Sequence, residues 1–118
     1  MAIKLNILII GAGDRGNLFA GIAANYEANI VAIADPIKKR RDLMADKCNI
    51  PAELIFETGE ESLSKGLQFD AVYIASPDKT HYRLAKLALE KGYNVLLEKP
   101  MATTAKECIA LIKTQQKC

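Results

Sequence analysis

Residues 5–16 read Leu5-Asn6-Ile7-Leu8-Ile9-Ile10-Gly11-Ala12-Gly13-Asp14-Arg15-Gly16, an apolar strand that runs straight into a G-x-G-x-x-G turn. Nineteen positions past Gly16, at the end of a second apolar run from Asn29 to Ala34, stands Asp35. Strand, glycine turn, helix, strand and acid in this order are the parts of a dinucleotide-binding unit. Gly11 permits the tight turn, Gly13 lets the backbone approach a pyrophosphate, and Gly16 lets the next helix pack closely on the strand. Asp14 and Arg15 lie in the turn where the helix begins, and the helix N-terminus offers unpaired N–H groups and a partial positive charge to phosphates. Asp35 can accept hydrogen bonds from the adenosine ribose hydroxyls. The plainer alternative is a glycine-rich turn with a surface aspartate.

The bulk properties bound what else the chain can be. With 118 residues it reads as one domain, large enough to bury roughly two-thirds of the surface that its unfolded form exposes. A net charge of +2 is too small to argue for nucleic acid or a membrane surface. Lys38-Lys39-Arg40-Arg41 is the one basic run and is expected on a solvated helix face. Cys48, Cys108 and Cys118 are odd in number and far apart, which suits a reducing compartment better than a disulfide framework. A single histidine and no C-x-x-C pair argue against a metal site. The first apolar stretch is too short to span a bilayer and meets a glycine turn rather than a cleavage site, so the expected location is the cytoplasm.

Along the chain, strands alternate with helical patterns, which predicts an α/β fold: a doubly wound parallel sheet covered on both faces. A first helix from about Arg15 to Tyr26 would bury Leu18, Phe19, Ile22, Ala23 and Tyr26. Pro36 suits a helix start, and the helix after it would turn Ile37, Met44 and Cys48 inward and end at Asn49 and Pro51. A short strand, Leu54 to Glu57, leads to a small helix with Leu63 and Leu67 as its apolar pair. A strand from Ala71 to Ala75 and a helix from Thr80 to Lys91, closed by Gly92, follow. Val95 to Leu97 make a fifth strand, and Thr104 with Glu107 a capping box for a last helix. The expected strand order is 3-2-1-4-5, with ligand at the carboxyl ends near the switch between strands 1 and 4. A six-stranded Rossmann domain would need one more strand. Residues 1–118 therefore read as the N-terminal domain of a longer protein, without its substrate domain. The bare edge of the fifth strand would favour a homo-oligomer.

Two segments go beyond a generic fold of this kind. One is Ala75-Ser76-Pro77-Asp78-Lys79-Thr80-His81 after the fourth strand, and the other is Glu98-Lys99-Pro100 after the fifth. With Ala85, Ala88-Leu89, Gly92 and Val95-Leu96 they resemble the Gfo/Idh/MocA family of NAD(P)-dependent oxidoreductases, relatives of glucose–fructose oxidoreductase and inositol dehydrogenase. The resemblance runs from Ile7 to Leu111. It implies hydride transfer between a nicotinamide and a hydroxyl-bearing carbon of a sugar, cyclitol or related metabolite. It also implies that Ser76, Pro77 and His81 line the wall beside the cofactor, and that Glu98 and Lys99 lie at the nicotinamide. A lysine there can stabilise a developing alkoxide, and burial beside an oxidised nicotinamide would lower its pKa. The bland alternative is a strand-end lysine in solvent; for His81 it is a helix-terminal residue bonded to backbone. Tyr73 and Tyr82 are expected to pack. The family's further acid or base, from a second domain, has no counterpart in this chain.

Cofactor preference turns on charge. Asp35 would repel the 2′-phosphate of NADP and bond the free hydroxyls of NAD, whereas the basic run could bring a cation to that phosphate. With the run facing water, NAD is expected over NADP. Two rivals remain: a stand-alone dinucleotide-binding or redox-sensing module, which would need no Lys99, and a CoA-binding domain, which would need no Asp35.

Overall fold

In a computed structural model of the chain, which describes residues 5–23, 28–97, 109, 114 and 115, the apolar runs form five parallel strands. The elements are β1 (Leu5–Ile10), α1 (Asp14–Ala23), β2 (Ala28–Ala34), α2 (Lys38–Cys48), β3 (Ile55–Phe56), α3 (Gly59–Ser64), β4 (Ala71–Ile74), α4 (His81–Glu90) and β5 (Val95–Leu97). Short 3-10 turns, Ala52–Leu54 and Asp78–Thr80, precede β3 and α4. The sheet order is β3-β2-β1-β4-β5, as expected.

Successive strand residues point to opposite faces, so a strand apolar throughout must be covered twice. Leu8, Ile10, Ala32, Ala34, Val72 and Ile74 meet Leu63, Leu84, Ala85 and Ala88 from α3 and α4 on one face. On the other, Ile7, Ile9, Ile33 and Tyr73 meet Ala23 of α1 and Met44 and Ala45 of α2. Tyr73 packs there on Phe19, with ring centroids 4.1 Å apart. The alternation breaks once. The β1–β2 register slips between Ile7 and Leu8, and Val31 and Ala32 both lie on the α3–α4 side. An extra residue in one strand of a pair has this effect.

The first helix departs from expectation. Described from Asp14 to Ala23, it turns Leu18 (61 % exposed) and Ile22 (46 %) outward. The stripe assigned from spacing is narrower because Gly16 and Ala23 already bring the helix close to the sheet, leaving Phe19 and Ala20 as the larger packing contacts. Ile37, expected inside, is 47 % exposed, since α2 begins one residue later and Ile37 has extended backbone as its N-cap. Leu67 likewise falls beyond α3, half-buried. Asn49 ends α2 in the left-handed region (φ 57°), and Gly92 follows α4 at φ 89°. Burial pushes the Cys48 thiol up, against the lowering effect of Lys47, so Cys48 is a packing residue rather than a nucleophile. Tyr26, Glu98, Lys99, Pro100, Thr104, Glu107, Cys108 and Cys118 lie outside the described residues. Among the described residues no helix is long and apolar enough to cross a membrane, and no group of side chains could hold a metal ion.

Candidate dinucleotide site

The turn after β1 is built from side chains that are not there. Gly11 has φ +103°, and a Cβ on it would lie 2.6 Å from the Ser76 amide nitrogen and 2.7 Å from the Ala75 carbonyl carbon. Only glycine allows both that conformation and that approach of the β4 loop. A Cβ on Gly16 would sit 2.1 Å from the Gly11 carbonyl oxygen, so α1 can follow the turn this closely only with glycine at its third position. Gly13 is different. A Cβ there would meet only the Arg40 guanidinium, at 3.8 Å. Among the described residues nothing requires glycine at that position on steric grounds, and the open space in front of it is where a ligand would come against the backbone.

Hydrogen bonds fix the turn to both neighbouring strands. The Gly11 amide donates to Ala34 O at 2.8 Å, and the Ala75 amide to Ile10 O at 2.8 Å. Asn17 Nδ2 donates to Ala12 O (2.8 Å) and Gly13 O (3.0 Å), stapling the turn from α1. Asp14 and Arg15 are exposed in the first turn of α1.

Asp35 is 4 % exposed, and its carboxylate is more occupied than the sequence suggests. Oδ2 accepts from the Ala12 amide and Oδ1 from the Ile37 amide, each at 2.8 Å. It therefore ties the glycine turn to the start of α2. A carboxylate has about four lone-pair sites, so acceptor capacity for ribose hydroxyls remains. The basic run does not face water as a block. Arg41, its side chain 14 % exposed, donates to Asp35 O at 3.3 Å and Pro36 O at 3.4 Å and lies 3.8 Å from the Glu57 carboxylate. Arg40 turns to the glycine turn. Only Lys38, paired with Asp42 at 2.5 Å, and Lys39 keep to the outer face expected of all four.

A cleft of about 580 Å³ opens beside these loops, over the carboxyl ends of β1 and β2 and below α3 and α4. Ile10, Ala34, Pro36, Ile37, Pro77 and Leu84 give it apolar walls, and Asp35, Arg40, Glu57 and Arg83 its charges. Its size suits a small ligand or cofactor. Thr58, also on its wall, caps α3 by accepting from the Glu61 amide at 3.1 Å. Thr58-Gly59-Glu60-Glu61 is a T-x-x-E capping signature that the sequence reading passed over. Arg83 reaches Glu60 at 2.5 Å from the facing helix.

In the β4 loop, Ser76 Oγ and Thr80 Oγ1 are 2.6 Å apart, and Thr80 Oγ1 donates to Pro77 O at 2.6 Å. His81 is fully buried, with Nε2 2.9 Å from Ser76 O. The histidine thus holds the backbone of the loop from beneath, while Ser76 and Pro77 line the cleft.

A doubly wound parallel sheet with a glycine turn at the β1–β4 switch defines a dinucleotide-binding Rossmann domain. Residues 5–118 match the model of an oxidoreductase family with an NAD-binding Rossmann fold, GFO_IDH_MocA, and the chain belongs to that family. Inositol 2-dehydrogenase 1 of Saccharopolyspora erythraea is 32% identical over 95% of this chain and 33% of its own length. Glycosyl hydrolase family 109 protein 5 of Phocaeicola vulgatus is 39% identical over 97% of the chain and 24% of its length. The scyllo-inositol dehydrogenase of Lactobacillus casei, solved with NAD(H) and scyllo-inositol, shares the fold at a TM-score of 0.88 and 22% identity, over 98% of this chain and 34% of that one. The chain thus spans a quarter to a third of these relatives.

Proposed function

We propose that this domain holds NAD for an oxidoreductase that transfers hydride to or from a hydroxyl-bearing ring carbon of a sugar, cyclitol or related metabolite. The observation that carries the reading is the close approach of Gly11 to Ser76, which joins the carboxyl ends of β1 and β4 beside the open backbone of Gly13. Ligands of doubly wound sheets bind at this switch point. Gly11, Gly13 and Gly16, the backbone N–H of Asp14 and the Arg15 side chain would hold the pyrophosphate, Asp35 the adenosine ribose, and Ser76, Pro77 and His81 the wall toward the nicotinamide. The relatives support the substrate class: one is named for a cyclitol and another for glycosides, and both are ring compounds rich in hydroxyls.

The nicotinamide, when bound, carries the hydride. The chain supplies position and charge. β5 pairs with β4 as far as Leu97, two residues before Lys99. The Lys99 ammonium would donate a hydrogen bond to the substrate oxygen and stabilise the negative charge that develops there, with Glu98 beside it. A second domain, outside residues 1–118, would supply the substrate pocket. We propose a cytoplasmic homo-oligomer, with the edge of β5, where Leu96 is exposed, among its contact surfaces.

The test is Lys99→Met in a two-domain protein that contains this chain. The side-chain volume is kept and the cation lost, so kcat should fall by ~10²-fold or more while NAD affinity changes little. An unchanged kcat would overturn the role of Lys99. A stand-alone binding module would give no turnover to lose.

A further inference from the structure

The glycine turn, taken alone, is poorly equipped for a pyrophosphate. The Ala12 amide, which would otherwise face an anion, already donates to Asp35 Oδ2 at 2.8 Å. Asp35 and Asp14 also put two carboxylates close to the turn, one on each flank. Two phosphates brought to this place would meet negative charge that the helix dipole of α1, equivalent to about half a charge, does not offset. Cations are needed: Arg15 stands beside Asp14 in the first turn of α1, and a second cation faces the turn from α2.

Arg40 stands in the first turn of α2 with its guanidinium 3.8 Å from the point where a Gly13 side chain would begin. Its neighbours in the basic run have other work: Arg41 is fastened to Asp35 O and Pro36 O, and Lys38 to Asp42. Among the described residues the Arg40 side chain has no hydrogen-bond or ion-pair partner, and although exposed it lines the cleft with Gly11 and Asp35. The Arg41 bonds and the Asp35–Ile37 bond anchor the start of α2, so Arg40 is held over the turn by a fixed base. A guanidinium fork matches the paired oxygens of a phosphate.

The geometry points to Arg40 as a phosphate-binding residue of the domain, closing over the pyrophosphate at Gly13 from the side opposite the α1 N-terminus. The assignment rests on the dinucleotide reading of the glycine turn. Arg40 neutralises the charge contributed by Asp35, so the chain keeps a ribose-binding acid without losing the affinity of the phosphate site. Because NAD and NADP share the pyrophosphate, Arg40 should serve both alike. A guanidinium at the 2′-phosphate would instead serve NADP alone.

The experiment is calorimetric titration of NAD, NADP, ADP and adenosine into the 118-residue chain and its Arg40→Gln and Arg40→Lys variants. Arg40→Gln should weaken NAD, NADP and ADP by a similar factor, about tenfold at low salt, and leave adenosine unchanged. The loss should shrink as salt is raised, and Arg40→Lys should recover part of it. A loss confined to NADP would move Arg40 to the 2′-phosphate and overturn the assignment. So would unchanged binding throughout, or a loss that appears with Arg15→Gln and not with Arg40→Gln. Gly13→Val separates the underlying reading from the inference. If that variant still binds NAD, the turn is not the phosphate site; if it does not bind while Arg40→Gln binds normally, only the role of Arg40 fails.

Discussion

The two loops that meet at the site keep their shape by opposite means. In the turn from Gly11 to Gly16, missing atoms decide the structure: two Cβ positions are filled by other parts of the backbone. In the stretch from Asp35 to Arg41, which leads into α2, present atoms decide it, since one carboxylate and one guanidinium satisfy backbone groups on both sides. The first loop is therefore vulnerable to addition and the second to removal. Gly13 fits neither description. It has space that the described residues do not use, and that marks it as a place for something outside the chain.

The comparison can be broken by substitution. The largest effect is expected for Gly16→Ala, whose Cβ would need to occupy the position of the Gly11 carbonyl oxygen, 2.1 Å away. Backbone cannot give way there as a side-chain end can. The expected loss is at the upper end of overpacking costs, about 3 kcal/mol, read as a lowered urea midpoint. A midpoint equal to that of the parent chain would show that α1 can shift away from β1 at no cost. Asp35→Asn should come next. An amide has one acceptor oxygen for two N–H donors, so either Ala12 or Ile37 is left without a partner, at about 1–3 kcal/mol. The same change removes the charge facing the ribose, and the affinity for NADP relative to NAD should rise. If stability holds and the ratio does not move, the aspartate is a bystander at both tasks.

Much of this was legible in the sequence, for a reason the two loops illustrate. Glycine positions are read easily because no other residue type can take φ +103° at Gly11 or the Gly11–Gly16 contact without strain, and the strand order followed from alternating apolar runs. Side-chain roles were harder to read. Arg40 and Arg41 look alike in a basic run, yet one lies over the glycine turn and the other is bound to the carbonyls of Asp35 and Pro36. Their separation of about 100° on the helix puts them on different faces of α2. Asn17 gave no signal beyond its place one residue after Gly16, although it holds two carbonyls of the turn. The exposure of Leu18 and Ile22 was missed because spacing identifies a face of a helix but not how closely its small residues let it approach the sheet.

The smallest effect on stability belongs to the substitution with the greatest effect on binding. Gly13→Val adds atoms where the chain leaves space, with only the exposed Arg40 side chain to move aside, so its urea midpoint should stay within about 0.5 kcal/mol of the parent's. Titration of NAD into the parent chain and into Gly13→Val, with the midpoints measured on the same samples, tests the central claim that this open turn receives the dinucleotide. The parent should bind and the variant should be weaker by about 100-fold or more, because the added methyls occupy the approach to the backbone. Equal binding by a natively folded Gly13→Val chain would contradict it.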